Sequence, residues 1–333
     1  MDRIRWGIIG CGDVTEKKSG PGFRKARGSE LVAVMRRDAE RAKDYAARHG
    51  VPKWYGDADR LIRDDEVDAV YIATRPDTHH EYVRRVARAG KPIYVEKPMG
   101  FDYRAGRDMV ETCHAAGVPL FVAYYRRAME KYVAVKEMLD AGEIGEVRLV
   151  QVTMYRPPDV DAEARERGEL PWRLRGESAG GGLIMDVGSH ALDLLDYYFG
   201  PISTVQGTAT NQAGLYDVED TVSGHWLFDS GVHGVGAWCF VAHEAGDYVD
   251  IYGSAGHIRL SVLDVPGPVE LTKNGQTQQF HYDPPEHVQQ PLIQTVVDEL
   301  LGKGQCPSKG ESALRTDRVL AQLRESGDGT EAV

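Results

Sequence analysis

Two glycines set the first chemical expectation. Gly10 and Gly12 follow an apolar run, Ile4 to Ile9, at the start of the chain. A glycine pair at a strand-to-helix turn lets backbone approach a phosphate, and the amide N–H groups of the helix start form an anion site. The turn Ile9-Gly10-Cys11-Gly12-Asp13-Val14 is therefore read as a dinucleotide pyrophosphate cradle. Thr15 stands where the G-x-G-x-x-G fingerprint has its third glycine, so it must pack as a small residue at the helix start. A second apolar run, Glu30 to Met35, ends in Arg36-Arg37. An acid at this point accepts hydrogen bonds from ribose hydroxyls, whereas an arginine pair can fork onto a 2′-phosphate. NADP is accordingly favoured over NAD, with Asp38 next door weighing slightly the other way.

Three further residues could handle protons. Lys97 follows the apolar run Pro92 to Val95 and Glu96, and Pro98 turns the chain away after it. That is the carboxyl edge of a parallel sheet, where open α/β folds bind ligands. Asp186 and His190 are four residues apart, which places them on one helix face if Gly188 does not break the turn. The imidazole then suits a general base, and the carboxylate suits substrate binding or orientation of the ring. Taken singly, a lysine at a strand end is more often a surface charge and a helical histidine more often a core residue.

The elements that must position these residues change character along the chain. Up to about residue 126, apolar runs (Ile4 to Ile9, Glu30 to Met35, Val67 to Ala73, Pro92 to Val95, Pro119 to Ala123) alternate with helical segments such as Asp38 to Arg48 and Thr78 to Ala89. That order implies βαβ units and a parallel sheet buried on both faces. Helix Glu130 to Ala141 follows. After it, alternating strands are expected at Val147 to Tyr155, Thr204 to Thr210, Thr221 to Phe228, Val232 to Phe240, Tyr248 to Tyr252 and His257 to Val262, a mostly antiparallel sheet. A Gly-rich loop and helix, Gly180 to Phe199, interrupt these strands, and a helix from Glu286 to Leu301 comes late. The fold class expected is α/β: a Rossmann doubly wound sheet over residues 1–126, and an α/β domain with an open, mostly antiparallel sheet over 127–333.

Composition narrows the partners. A length of 333 residues suits about two domains. A formal charge of −11 repels nucleic acid and anionic lipid, so neither is expected as a partner. The longest apolar runs fall short of the ~20 residues of a membrane span. The first residues lack a signal-like apolar core, and the polar tail Ser326 to Val333 is expected to fray. Cys11, Cys113, Cys239 and Cys306 are far apart, without CxxC or metal spacing, which points to reduced thiols in a cytoplasmic protein and no metal.

The stretch Ala89 to Met99 (AGKPIYVEKPM), with Glu96-Lys97-Pro98 after its strand, resembles the hallmark of the glucose–fructose oxidoreductase/inositol dehydrogenase/MocA (Gfo/Idh/MocA) family. The stretch Ala179 to Asp193 (AGGGLIMDVGSHALD) resembles that family's Gly-rich turn and D-x-G-x-H-x-x-D motif. The likeness runs from the glycine fingerprint to Arg315-Thr316. It implies an NAD(P)-dependent oxidoreductase acting on CH–OH groups of a sugar, polyol or related cyclic substrate. It also implies a homodimer or homotetramer formed through the C-terminal sheet. By the same likeness, Lys97, Asp186 and His190 are the catalytic set. Lys97 reaches nicotinamide ribose and substrate oxygen, His190 serves as base, and Asp193 orients His190 or merely caps and pairs.

Thr74, Pro76 and His79 match the family's turn under the cofactor, and Glu96 joins them. Arg75 stands where a small or prolyl residue is common, and either reaches a phosphate or faces solvent. Tyr124 replaces a polar amide, which weakens that cofactor contact, while Arg127 matches the substrate-side arginine. Trp172 and Arg173 either wall a sugar face or anchor a loop. Two alternatives stay open. Some relatives use NAD transiently to hydrolyse glycosides, and others are non-catalytic dinucleotide sensors. Retention of Lys97, Asp186 and His190 argues against a sensor, and Arg36-Arg37 argue for an exchanging NADP.

Overall fold

The computed structural model describes residues 2–158, 160, 167 and 170–325. The tail expected to fray, 326–333, lies outside them.

The N-terminal runs form a six-stranded parallel sheet: β1 (Ile4–Ile9), β2 (Ser29–Met35), β3 (Lys53–Tyr55), β4 (Ala69–Ile72), β5 (Ile93–Val95) and β6 (Leu120–Val122). Its order, β3-β2-β1-β4-β5-β6, is that of a doubly wound dinucleotide-binding sheet. The apolar runs without alternation are buried throughout β4, β5 and β6, as strands covered on both faces must be. The intervening helices carry their own stop and start signals. Asp38 caps Ala39–His49 by accepting from the Arg41 N–H, and Gly50 ends it at φ 64°. Asp102 caps Tyr103–Ala116, and Gly117 ends it at φ 66°.

The second sheet has eight strands in the order β14-β13-β12-β11-β7-β10-β9-β8. Its members are β7 (Val147–Tyr155), β8 (Ile202–Thr210), β9 (Thr221–Phe228), β10 (His233–Cys239), β11 (Gly246–Gly253), β12 (His257–Leu260), β13 (Val269–Lys273) and β14 (Gln276–Phe280). Only β7 and β10 run parallel; the other neighbours are antiparallel. Along β10 every second residue is buried, so one face packs and the other stays open. The α/β class and both sheet types are thus as the sequence implies, with the β13–β14 hairpin added.

By compactness the chain falls into two units that are not consecutive in sequence. One comprises Met1–Met129 with Pro285–Leu314; the other comprises Glu130–Pro284 with Arg315–Val333. A division at residue 126 gives the whole later chain to one domain, whereas Pro285–Leu314 groups with the Rossmann residues. The cause is specific contact: Phe121 bridges to Lys309, the Val122 N–H donates to the Ser308 carbonyl, and Gln289 bonds Glu96. Among the described residues, no helix is long and apolar enough to cross a membrane.

Candidate active site

In the first unit the glycine turn is built as a phosphate cradle requires. Gly10 has φ 93°, and a side chain there would sit 2.7 Å from Thr74 Cγ2. The position therefore excludes other residues twice over, by conformation and by the approach of the β4 turn. Gly12 is different: a Cβ there would meet nothing nearer than the Gly10 oxygen at 3.9 Å, so the space above it is open. Gly10 and Cys11 donate to the Met35 carbonyl, which welds the turn to the end of β2. Ile9 and Cys11 are buried, Val14 is half-buried and Asp13 is exposed at the start of helix Asp13–Lys17. Burial pushes the Cys11 thiol up to about 11, which keeps it protonated and out of nucleophilic chemistry.

Thr15 shows how the missing third glycine is tolerated. It is fully buried; its hydroxyl accepts from the Gly12 N–H at 2.9 Å and donates to the Gly12 carbonyl at 2.7 Å. The Tyr45 hydroxyl then donates to the Thr15 carbonyl at 2.9 Å. Arg36 is half-buried and its guanidinium donates to the Cys11 carbonyl at 3.3 Å, while Arg37 is exposed. Asp38 faces its own helix, as the cap and as the ion-pair partner of Arg41 at 3.2 Å.

The β4 turn and the β5 turn are joined by one histidine. His79 is fully buried, with Nε2 3.0 Å from the Thr74 carbonyl and Nδ1 3.2 and 3.1 Å from those of Pro98 and Met99. Desolvation holds its pKa below the usual value, against the pull of the carbonyls at both ring nitrogens. Thr74 also accepts from the Thr78 hydroxyl, and Pro76 opens helix Pro76–Arg88. Arg75 is exposed and pairs with Asp77 at 3.3 Å.

Glu96 is nearly buried. Its Oε1 accepts from the Tyr71 hydroxyl at 2.5 Å and from Gln289 at 2.6 Å, and Oε2 from the Lys97 N–H at 3.3 Å. The Tyr94 hydroxyl donates to Gln289 in turn, at 3.2 Å. Burial drives both tyrosines well above the usual phenol range, so they remain donors. Lys97 is half-buried directly after this anchor, and the Lys97–Pro98 bond is cis. Tyr124 and Arg127 are buried about a 3-10 turn, Tyr125–Ala128, with Arg127 donating to the Pro307 carbonyl at 3.1 Å. Tyr71, Tyr94 and Gln289 were not legible as site residues, since no local pattern marks them.

In the second unit Asp186 lies on a π-turn, Ile184–Gly188, and His190 lies on the α-helix Ser189–Phe199 that continues from it. This corrects the simple picture of one α-helical face. The Ser189 N–H reaches back five residues to the Ile184 carbonyl, so the turn is wider than an α-turn. Such single wide turns are frequent at functional sites. Asp186 is half-buried, while His190 and Asp193 are buried. Arg173, on the 3-10 turn Trp172–Leu174, lies 3.7 Å from Asp186. Trp172 is half-buried and its carbonyl accepts from Ser178 at 2.7 Å.

Comparison with known proteins shows the family of the chain. Residues 4–124 match the model described as oxidoreductase family, NAD-binding Rossmann fold. Residues 132–259 match the GFO/IDH/MocA C-terminal domain. The chain is 38% identical over 320 residues to Oxidoreductase P35 of Formosa agariphila, covering 96% of this chain and 97% of that one. It is 28% identical to the 1,5-anhydro-D-fructose reductase of Ensifer adhaerens, over 98% of both chains. The crystal structure of aldose-aldose oxidoreductase from Caulobacter crescentus, complexed with glycerol, superposes with a TM-score of 0.85 at 23% identity, over 97% of each chain. With its cradle, its Glu96-Lys97-Pro98 turn and both halves matched in order, the chain belongs to the Gfo/Idh/MocA family of NAD(P)-dependent oxidoreductases.

Proposed function

We propose that this chain moves hydride between a nicotinamide cofactor and a hydroxyl or carbonyl carbon of a sugar, polyol or related cyclic substrate. The observation that carries the reading is the fixed position of Lys97. Its turn is held by the Glu96 carboxylate on one side and by His79, bonded to the Pro98 and Met99 carbonyls, on the other. The similarity to an anhydro sugar reductase supports the substrate class.

The cofactor, when bound, supplies the hydride acceptor or donor. The residues that fit it are the open turn at Gly10–Gly12 with Ile9, Cys11, Asp13 and Val14, the arginines 36 and 37, and the Thr74–Pro76 turn with His79 behind it. Arg36 and Arg37 favour NADP, because Asp38 is occupied as a helix cap. Glu96 contributes through the turn that carries Lys97. In the chemistry, the Lys97 ammonium donates to the substrate oxygen and steadies its developing charge. His190 exchanges the hydroxyl proton, and Asp186, paired with Arg173, supports it. Tyr124, Arg127 and Trp172 complete the substrate-side set.

The open face of the second sheet includes the exposed Val235 and Tyr248, and it is the surface through which we expect two or four copies to associate. Four free cysteines suit a reducing, cytoplasmic setting. The test is a panel of aldoses, anhydro sugars, inositols and dihydrodiols, followed at the reduced-nicotinamide absorbance with NAD and NADP in turn. Cofactor-dependent turnover on at least one hydroxylated ring supports the proposal. Hydrolysis without any change in nicotinamide redox state would replace it.

A further inference from the structure

The three glycines before the catalytic segment are explained by one arginine near the end of the chain. We infer that Arg324, on the helix Gly310–Glu325, is a positioning residue for the segment carrying Asp186 and His190. This rests on the catalytic roles proposed for those two residues.

Arg324 donates from Nη2 to the Gly180 carbonyl at 2.8 Å and from Nε to Glu219 at 2.9 Å. Both partners are charged or strongly polar, and the Arg324 and Glu219 side chains are only 23% and 24% exposed, so the contact is a shielded, charge-assisted one. At Gly181 a Cβ would lie 2.6 Å from Arg324 Nε and 2.7 Å from Nη1. A side chain there would have to displace the guanidinium, which is held by its bonds to Gly180 and Glu219. Gly180 and Gly182 take positive φ, 74° and 64°, and a side chain at Gly182 would crowd Val218, next to Glu219. The run Gly180-Gly181-Gly182 is therefore a seat for Arg324 and its neighbours.

The π-turn lies directly beyond this seat. Gly182 is two residues from Ile184, where that turn begins, and four from Asp186. A π-turn is a rare, poorly self-supporting conformation and persists where its surroundings hold it. Its N-terminal approach is three glycines, the most flexible backbone available. Arg324 removes that freedom. The same helix holds the segment's far side: Arg315 forks onto Asp196 at 2.6 and 2.8 Å, and Asp196 sits in the helix of His190. Arg315 and Arg324 are about 14 Å apart along the helix axis at ~1.5 Å per residue. The last helix thus braces the catalytic segment before its π-turn and after it.

The test uses the full-length protein with Arg324→Met, Arg324→Lys, Gly181→Ala and the double variant G181A/R324M. Hydrogen–deuterium exchange over residues 180–190, NADPH binding by fluorescence titration, and kcat and KM on the best panel substrate are measured together. Arg324→Met should speed exchange across 180–188 and lower kcat about tenfold or more, as a misplacement near 1 Å does. NADPH affinity should stay within about twofold, and Arg324→Lys should recover part of kcat. Gly181→Ala should resemble Arg324→Met, and the double variant should be no worse than either single one. Unchanged exchange in Arg324→Met, or losses that multiply in the double variant, would overturn the brace. Faster exchange with wild-type kcat would overturn its positioning role. Asp186→Asn and His190→Ala, run alongside, separate this from the site itself: if both keep full turnover, the catalytic reading fails whatever Arg324 does.

Discussion

Gln289 donates to the Glu96 carboxylate at 2.6 Å, although 193 residues separate them. This bond ties the segment Pro285–Leu314 to the turn that carries Lys97. It also completes the pairing of a carboxylate that is almost wholly out of water. Replacing Gln289 by Leu leaves that oxygen with Tyr71 alone. The Tyr94 hydroxyl also loses its acceptor, and an unmet buried polar group costs ~1–3 kcal/mol. Urea unfolding of Gln289→Leu should show a loss of that order, together with reduced turnover because the Lys97 turn loses support. An unchanged urea midpoint would mean that water replaces the amide.

Lys97 comes directly after this anchor in the chain. Lys97→Ala should lower kcat by ~100- to 10,000-fold, the usual scale of a positioned proton-transfer group. NADPH affinity should change little, since the glycine turn and the arginines are the groups proposed to hold the rest of the cofactor. Steady-state kinetics with a parallel fluorescence titration checks both halves. Near-normal kcat would remove Lys97 from the chemistry.

Much of this was legible in the sequence, for identifiable reasons. Residues Ile4 to Ile9 and Val67 to Ala73 read as buried parallel strands because they lack alternation. The six expected strands of the second half read correctly, most plainly those that alternate as β10 does. The hairpin of β13 and β14 did not, although Asn274-Gly275 marks its turn, because Gln276–Phe280 carries almost no apolar signal. Strand β3 is three residues long and the helix Gly310–Glu325 has no strong stripe. The π-turn at Asp186 is a property of hydrogen bonding that residue spacing does not encode. Contacts such as Gln289 with Glu96 and Arg324 with Gly180 join distant positions, and nothing local announces them. Thr15 was legible as a departure, but its bonds to Gly12 were not.

Acid stability should depend on a cluster beneath the cradle. The Arg48 guanidinium, with His49 beside it, holds the Glu16 carboxyl at about 2, below its ordinary 4.5. The distances are 2.7 Å to Arg48 and 2.6 Å to His49. A carboxyl whose pKa falls on folding stabilises the folded state above its unfolded pKa, and that contribution drains as pH drops towards the folded value. The window is therefore from about 4.5 down to about 2. Glu16→Gln should be less stable than the native chain at pH 6, and the gap should narrow steadily below about pH 4.5. Partial exposure of both partners keeps the effect modest. A gap that stays constant from about pH 6 to about pH 3 would refute the linkage.

The NADP preference proposed above places cofactor choice at the end of β2. Arg36 already leans over the cradle, donating to the Cys11 carbonyl at 3.3 Å, and its backbone N–H is fixed to the Tyr55 carbonyl. Asp38, the nearest acid, is committed to its helix cap and to Arg41, so it does not offer the ribose acceptor that an NAD enzyme uses. Arg36→Asp reverses both features: under the proposed NADP preference it removes the donor proposed for the 2′-phosphate and adds a like charge against it. A hydrogen bond to a charged group is worth ~1.5–3 kcal/mol, so NADPH should bind roughly 10- to 150-fold more weakly. NADH should be spared or improved, because the new carboxylate can accept from ribose hydroxyls. The NADPH loss should shrink at high salt, where screening weakens the phosphate interaction in the native chain as well. Equal weakening of both cofactors would show that Arg36 serves the turn itself, through Cys11, and that the preference lies elsewhere.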